Sequence, residues 1–139
     1  MKKIIVATHY RLAEGFKSTL GYIAPNMVEI IAINAYLENT SVENQVQAAL
    51  DQFEADEQIL VFTDLLGGSV NQTFAKFLDR YNIQLIAGVN LPILMTLALA
   101  IGSNDLSETT IRQAIEESRQ QIVYVNDLLQ VSAMDDMDE

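Results

Sequence analysis

The chain contains no cysteine. Disulfide bonds and thiolate metal ligands are therefore excluded, and a reducing compartment is the natural setting. Basic residues are scarce too: 8 Lys and Arg stand against 19 Asp and Glu, a formal net charge of −11. Nucleic acid needs a basic footprint and anionic lipid repels such a surface, so neither partner is expected. An acidic domain is steered instead toward basic protein surfaces. Leu91–Ile101 is apolar apart from Thr96, yet far too short to span a bilayer. The amino terminus, Met1-Lys-Lys-Ile-Ile-Val-Ala, starts like a signal peptide, but its apolar run stops at Thr8 without a small-residue cleavage site. A soluble, cytoplasmic protein is expected.

What the chain does contain suits one domain. Its 139 residues are 50% hydrophobic, enough for a sizeable core. Apolar strands are expected at Lys3–Thr8, Val28–Asn34, Gln58–Thr63 and Gln84–Gly88, as uninterrupted runs rather than alternating ones. Such runs signify burial on both faces. Helical spacing fills the intervals: Arg11–Tyr22, a helix opened by a Thr40/Glu43 capping box, Ser69–Tyr81, an all-apolar helix from Pro92, and one begun by Asp105 and Glu108. Ile122–Val125 reads as a short final strand, and the acidic tail 134–139 as disordered. Strands alternating with helices predict an α/β fold, a doubly wound parallel sheet of four strands with helices on both faces. The helix over Pro92–Ile101 has no polar face and must be enclosed by the core or by a partner subunit.

Ligands of such sheets bind at the carboxyl edge of the strands, at the switch point in strand order. That edge collects His9, Asn34 to Tyr36, Asp64 to Ser69 and Gly88 to Asn90. His9 is the single histidine, and the only side chain here whose ordinary pKa lies near neutrality. Each candidate also has a structural reading. His9 suits a loop residue capping backbone, and Asp64 a turn acceptor. Gly67 and Gly68 supply freedom to a tight connection, and Ser69 with Gln72 forms a capping box.

Together the same residues make a specific chemical set. A carboxylate on one imidazole nitrogen fixes the tautomer and leaves the other lone pair free to attack. A glycine-rich turn opening a helix offers unpaired N–H groups to an anion. A phosphoryl group on His9 would sit among those donors, with Asp64 balancing the cationic ring. Other chemistries lack their signatures. There is no Gly-x-Ser-x-Gly elbow, no Gly-x-x-x-x-Gly-Lys loop and no Gly-x-Gly-x-x-Gly fingerprint. Nothing selects a carboxylate pair or a metal site, and no metal or cofactor is expected.

Ile5-Val-Ala-Thr-His9, Val61-Phe-Thr-Asp-Leu-Leu-Gly-Gly-Ser-Val-Asn71 and Ile86-Ala-Gly-Val-Asn-Leu-Pro92, in this order and spacing, resemble the EIIA component of the mannose-class sugar phosphotransferase system. The resemblance covers Met1–Val125. It implies that the phosphocarrier HPr phosphorylates His9 on Nε2, that Asp64 holds Nδ1–H, and that Ser69 with neighbouring N–H groups holds the phosphate. EIIB then takes the phosphoryl group and passes it to sugar entering through the membrane components. The implied assembly is a homodimer that exchanges its C-terminal strand, here Ile122–Val125. EIIB is expected as a separate protein, because the sequence given ends at Glu139. The chain departs from the family pattern at two places. Tyr10 follows the histidine in place of glycine, and Leu65-Leu66 follow the aspartate; both lie at the implied docking rim. The alternatives are the phosphoryl-donor subunit of a dihydroxyacetone kinase, to which Gly67-Gly68-Ser69 is the poorer match, and a non-catalytic anion- or nucleotide-binding module.

Overall fold

Four parallel strands in the order β2-β1-β3-β4 form the spine of the computed structural model, which describes residues 1–102 and 104–130. The strands are β1 (Lys3–His9), β2 (Glu29–Ala35), β3 (Ile59–Thr63) and β4 (Ile83–Ala87), and the helices between them are α1 (Leu12–Ile23), α2 (Val42–Leu50) and α3 (Ser69–Ala75). After β4 come α4 (Leu91–Ala100), α5 (Glu108–Arg119) and a short helical segment, α6 (residues 125–130). This is the expected doubly wound α/β architecture.

Strand burial grades from the centre outward. Every residue of β3 is buried, and so are the five inner residues of β1. The outer strands β2 and β4 are buried only in part. Successive side chains then divide the core in two. Ile4, Val6, Leu60 and Phe62 face α1, α4 and α5, while Ile5, Ala7, Ile59 and Val61 face α2 and α3. Phe62 fills one layer and Phe74 with Phe77 the other. Each such side chain contributes about 1.5–3 kcal/mol by leaving water.

Helix starts are set by backbone as much as by composition. Ser41 rather than Thr40 caps α2, accepting from Asn44 N–H, because Ser41 holds the extended conformation of a cap. Ser107 does the same for α5, displacing the expected Asp105. Asn90 caps α4 ahead of Pro92. The connection between α4 and α5 is fastened to the start of β3 by Gln58. Its side-chain amide donates to the Leu106 carbonyl at 2.9 Å and accepts from the Leu106 N–H at 2.8 Å.

Two expectations need correction. α3 ends at Ala75 instead of Tyr81, where i to i+3 bonds such as Phe77 N–H to Phe74 C=O tighten the chain into turns. Residues 122–124 are not a strand, and Val125 already opens α6. A strand needs a ladder, and within one chain this segment has none. Within the single chain α4 is covered on one side: Ile93, Leu94, Leu97 and Ala98 are buried and Leu99 is exposed. The acidic tail 134–139 lies outside the described residues. Among the described residues, no helix is long and apolar enough to cross a membrane.

Candidate active site at the carboxyl edge of the sheet

Strand order reverses between β1 and β3, so a crevice forms where those two strands end. Ala7 pairs with Thr63, the last residue of β3, while β1 runs on to His9. The chain leaving β3 therefore passes beside the end of β1, and Asp64 meets His9 across 55 positions of sequence.

One carboxylate oxygen of Asp64, Oδ2, accepts from the His9 backbone N–H at 2.9 Å and contacts the ring Nδ1 at 2.9 Å. The other, Oδ1, accepts from the Leu65 N–H at 3.0 Å. Asp64 is thus anchored to its own turn and grips His9 by backbone and ring together. An ionised carboxylate only accepts hydrogen bonds, so Nδ1 carries the proton and Nε2 keeps its lone pair. Burial pushes the Asp64 carboxyl up, but the hydrogen bonds from the His9 backbone and ring, with the electrostatic pull of that ring, outweigh it and hold the carboxyl below its ordinary value. The Asp64 side chain is only 12% exposed, against 37% for His9. The carboxylate is fixed inside and the imidazole opens outward.

The turn from Leu65 to Ser69 runs past the far side of the ring. Gly67 has φ +75, a left-handed conformation suited to glycine. Gly68 is needed for a different reason. A Cβ there would stand 3.2 Å from Leu65 Cβ, 3.3 Å from its carbonyl oxygen and 3.5 Å from His9 Cε1. The structural reading of Ser69 as a cap does not hold: Gly68 occupies that position and Gln72 donates to the Gly67 carbonyl instead. The Ser69 hydroxyl is bonded to Tyr36. The Gly68 N–H is already committed to the Leu65 carbonyl at 3.2 Å, whereas the N–H groups opening α3 have no acceptor within the helix.

Polar residues at all four strand ends tie these loops to the helices. Thr8 Oγ1 accepts from Ala13 N–H, and Asn34 Oδ1 from Glu14 N–H. Thr63 donates to Asn71 Oδ1, and Asn90 Oδ1 accepts from Ile93 N–H. Gly88, the glycine expected at this edge, turns the chain after β4 with φ +78. Tyr36 is a residue that the sequence placed at this edge without giving it a role. It lies just beyond β2, with its ring centroid 5.5 Å from that of His9. Its only sequence signal is position at a strand end. Among the described residues, no group of three or more His, Asp or Glu is placed to hold a metal.

The sequence matches the EIIA-man family, described as the fructose IIA component of the phosphotransferase system, over residues 3–125. The fold is similar to that of a candidate phosphoenolpyruvate-dependent sugar phosphotransferase permease from Klebsiella pneumoniae, with 31% identity and a TM-score of 0.83 over 93% of this chain and 95% of that one. It is also similar to phosphotransferase system component EIIA from Streptococcus agalactiae, with 28% identity and a TM-score of 0.74 over 91% and 99% of the two chains. The mannose/sorbose-specific IIA subunit from Enterococcus faecalis shares the fold at 20% identity and a TM-score of 0.73, over 88% and 94% of the chains. With almost its whole described length matched in sequence and in fold, the chain belongs to the EIIA-man family, as an EIIA component of a sugar phosphotransferase system.

Proposed function

We propose that this chain carries a phosphoryl group covalently on His9, taken from phospho-HPr and delivered to a separate EIIB. The observation behind this reading is the double grip of Asp64 Oδ2 on the backbone and Nδ1 of His9, both at 2.9 Å. It leaves a single nucleophile, Nε2, on a ring that cannot present its other nitrogen. The lone pair of Nε2 attacks phosphorus in line, a new N–P bond forms, and the N–P bond to the donor histidine breaks with its electron pair returning to that ring. The Nδ1 proton stays in place, and the positive charge on the phosphorylated ring faces the Asp64 carboxylate. The second displacement reverses the geometry: the EIIB nucleophile attacks phosphorus, and His9 leaves as neutral imidazole. Such transfer depends mainly on positioning and charge balance.

Phosphate oxygens would be held by Gly67, Gly68 and Ser69. The bonding already present sharpens that set: the Gly68 N–H is in use, so the Ser69 hydroxyl and the following amides are the stronger donors. Tyr10, Leu65 and Leu66 on the loops after β1 and β3, and Leu12 at the start of α1, expose apolar side chains beside His9 and Asp64. These suit brief contact with partners that must be released. The net charge of −11 suits basic surfaces on HPr and EIIB.

The same reading places the chain in the cytoplasm, serving the membrane sugar-transport components indirectly, as a homodimer. β4 ends the sheet on one side, and Ile122, Val123, Tyr124 and Val125 are all exposed in the single chain. Exchange of that segment onto the partner subunit would supply the missing ladder.

Intact-mass analysis after incubation with phosphoenolpyruvate, enzyme I and HPr tests the carrier role. One acid-labile phosphate on the protein and none on His9→Ala is expected. A folded protein that takes no phosphate would instead be an anion-binding module.

A further inference from the structure

The phosphoryl site leaves one contact without a role. The side-chain oxygens of Tyr36 and Ser69 are hydrogen-bonded to each other across 33 positions of sequence. The Tyr36 ring lies beside the His9 imidazole, its plane inclined by 35°. Nothing local explains this placement. Tyr36 has φ +66, a left-handed conformation that is a genuine outlier for a bulky side chain. Backbone of this kind persists where surrounding structure enforces it, and it clusters at functional sites. Here the enforcement is visible. His9 and Ala35 are register partners in the β1–β2 ladder, and the N–H of Tyr10, itself at φ +56, donates to the Ala35 carbonyl at 2.8 Å. The residue before Tyr36 is thereby fixed to the residue after His9, and the two aromatic rings are delivered as a registered pair.

The direction of the hydroxyl contact decides what it can do. Serine has one proton. If Ser69 gives it to Tyr36, none remains for a phosphate oxygen. A phenol, with a pKa of about 10, is the stronger acid and better donor, and an aliphatic hydroxyl is the better acceptor. With Tyr36 donating, Ser69 Oγ is satisfied as an acceptor and its own proton is free to turn elsewhere. A hydroxyl that accepts a hydrogen bond also becomes a stronger donor. The other side-chain contact at this residue, from Thr73 Oγ1, goes to the Ser69 backbone carbonyl and does not compete for Oγ.

We propose that Tyr36 is a positioning residue for phosphoryl transfer: its hydroxyl donates to Ser69 Oγ and aims the Ser69 proton at the phosphoryl group on His9. This rests on the phosphocarrier reading above. Tyr36 acts only through Ser69 and takes no part in bond making.

The test is a double-mutant cycle of Tyr36→Phe and Ser69→Ala. Phenylalanine keeps the ring against His9 and removes only the hydroxyl. The readouts are the initial rate of phospho-His9 formation at subsaturating phospho-HPr, and the lifetime of the isolated phosphoprotein. Tyr36→Phe is expected to slow formation and shorten the lifetime by about five- to tenfold, the scale of one neutral hydrogen bond, with an unchanged melting temperature. In the Ser69→Ala background, the same substitution is expected to change either readout by less than about twofold. A Tyr36→Phe protein as fast and as long-lived as wild type overturns the proposal. So does an undiminished loss in the Ser69→Ala background, which would make Tyr36 independent of Ser69. Wild-type protein that accepts no phosphate removes the phosphocarrier reading itself, a failure distinguishable from the other two.

Discussion

The two edges of the His9 imidazole are held in different ways. On the Nδ1 edge, a mostly buried carboxylate makes two bonds to His9 and one to its own turn. On the open side stand a glycine backbone and an exposed tyrosine, with one hydroxyl contact between Tyr36 and Ser69. The buried edge sets which nitrogen is free, and it does so before any ligand arrives. The open side leaves room for a group to come and go. Strength is placed where nothing has to move, and light contact where something does.

The largest effect should follow from weakening the buried edge. Asp64→Asn keeps the shape and removes the charge that, in the proposed function, would balance a phosphorylated ring. The rate of phospho-His9 formation is expected to fall by about 10- to 100-fold, the scale of loss when a carboxylate that orients a metal-ligating histidine is removed. An unchanged rate would show that the grip on His9 is structural only.

The two glycines of the open side provide a finer contrast. Gly68 has φ −68, which alanine adopts freely, but its Cβ would press on Leu65 and approach the imidazole. Gly68→Ala should therefore lower the phosphorylation rate by roughly three- to tenfold through displaced geometry, with little loss of stability. Gly67 has open space around it and a left-handed backbone, so Gly67→Ala should cost about 1 kcal/mol of stability. Its rate should stay near wild type. Denaturant melts beside the mass assay separate the two, and a reversed pattern would mean that the turn rearranges.

The smallest effect is on pH dependence. The Asp64 carboxyl is held below its ordinary value in the folded protein, so the unfolded chain takes up that proton first as pH falls. The contribution is complete above the ordinary carboxylate pKa of about 4, and is lost as pH drops through the lower folded value. The stability difference between wild type and Asp64→Asn should be flat from neutrality to about pH 5 and shrink below it. A difference that does not vary with pH would assign it to shape rather than charge.

The sheet was legible in the sequence because β1 and β3 are buried on both faces and so read as uninterrupted apolar runs. His9 and Asp64 were legible through the sheet, since parallel strands deliver their carboxyl ends to one edge. Less visible was whatever depends on a partner or on one dihedral angle. Ile122–Val125 has a strand's composition, yet composition carries no neighbour to pair with. Thr40 and Ser41 both suit a cap, and only the backbone decides between them. Ser69 looked like a cap, but the helix starts one residue early and frees its hydroxyl. Tyr36 needed an unusual φ to reach His9, and no local pattern announces that.

The Gln58 clasp on Leu106 divides its demands unevenly between two positions, even though the Leu106 side chain also packs against the core. A primary amide donates and accepts at once, so Gln58 completes both halves of a peptide-to-peptide pairing with a segment 48 positions away. It reads only main-chain atoms at Leu106, which every amino acid except proline supplies in full. Position 106 can therefore change its side chain without losing the clasp, while position 58 has only asparagine as a chemical equivalent, one methylene too short. Of two residues joined by the same pair of bonds, one supplies them from its main chain and the other from its side chain alone.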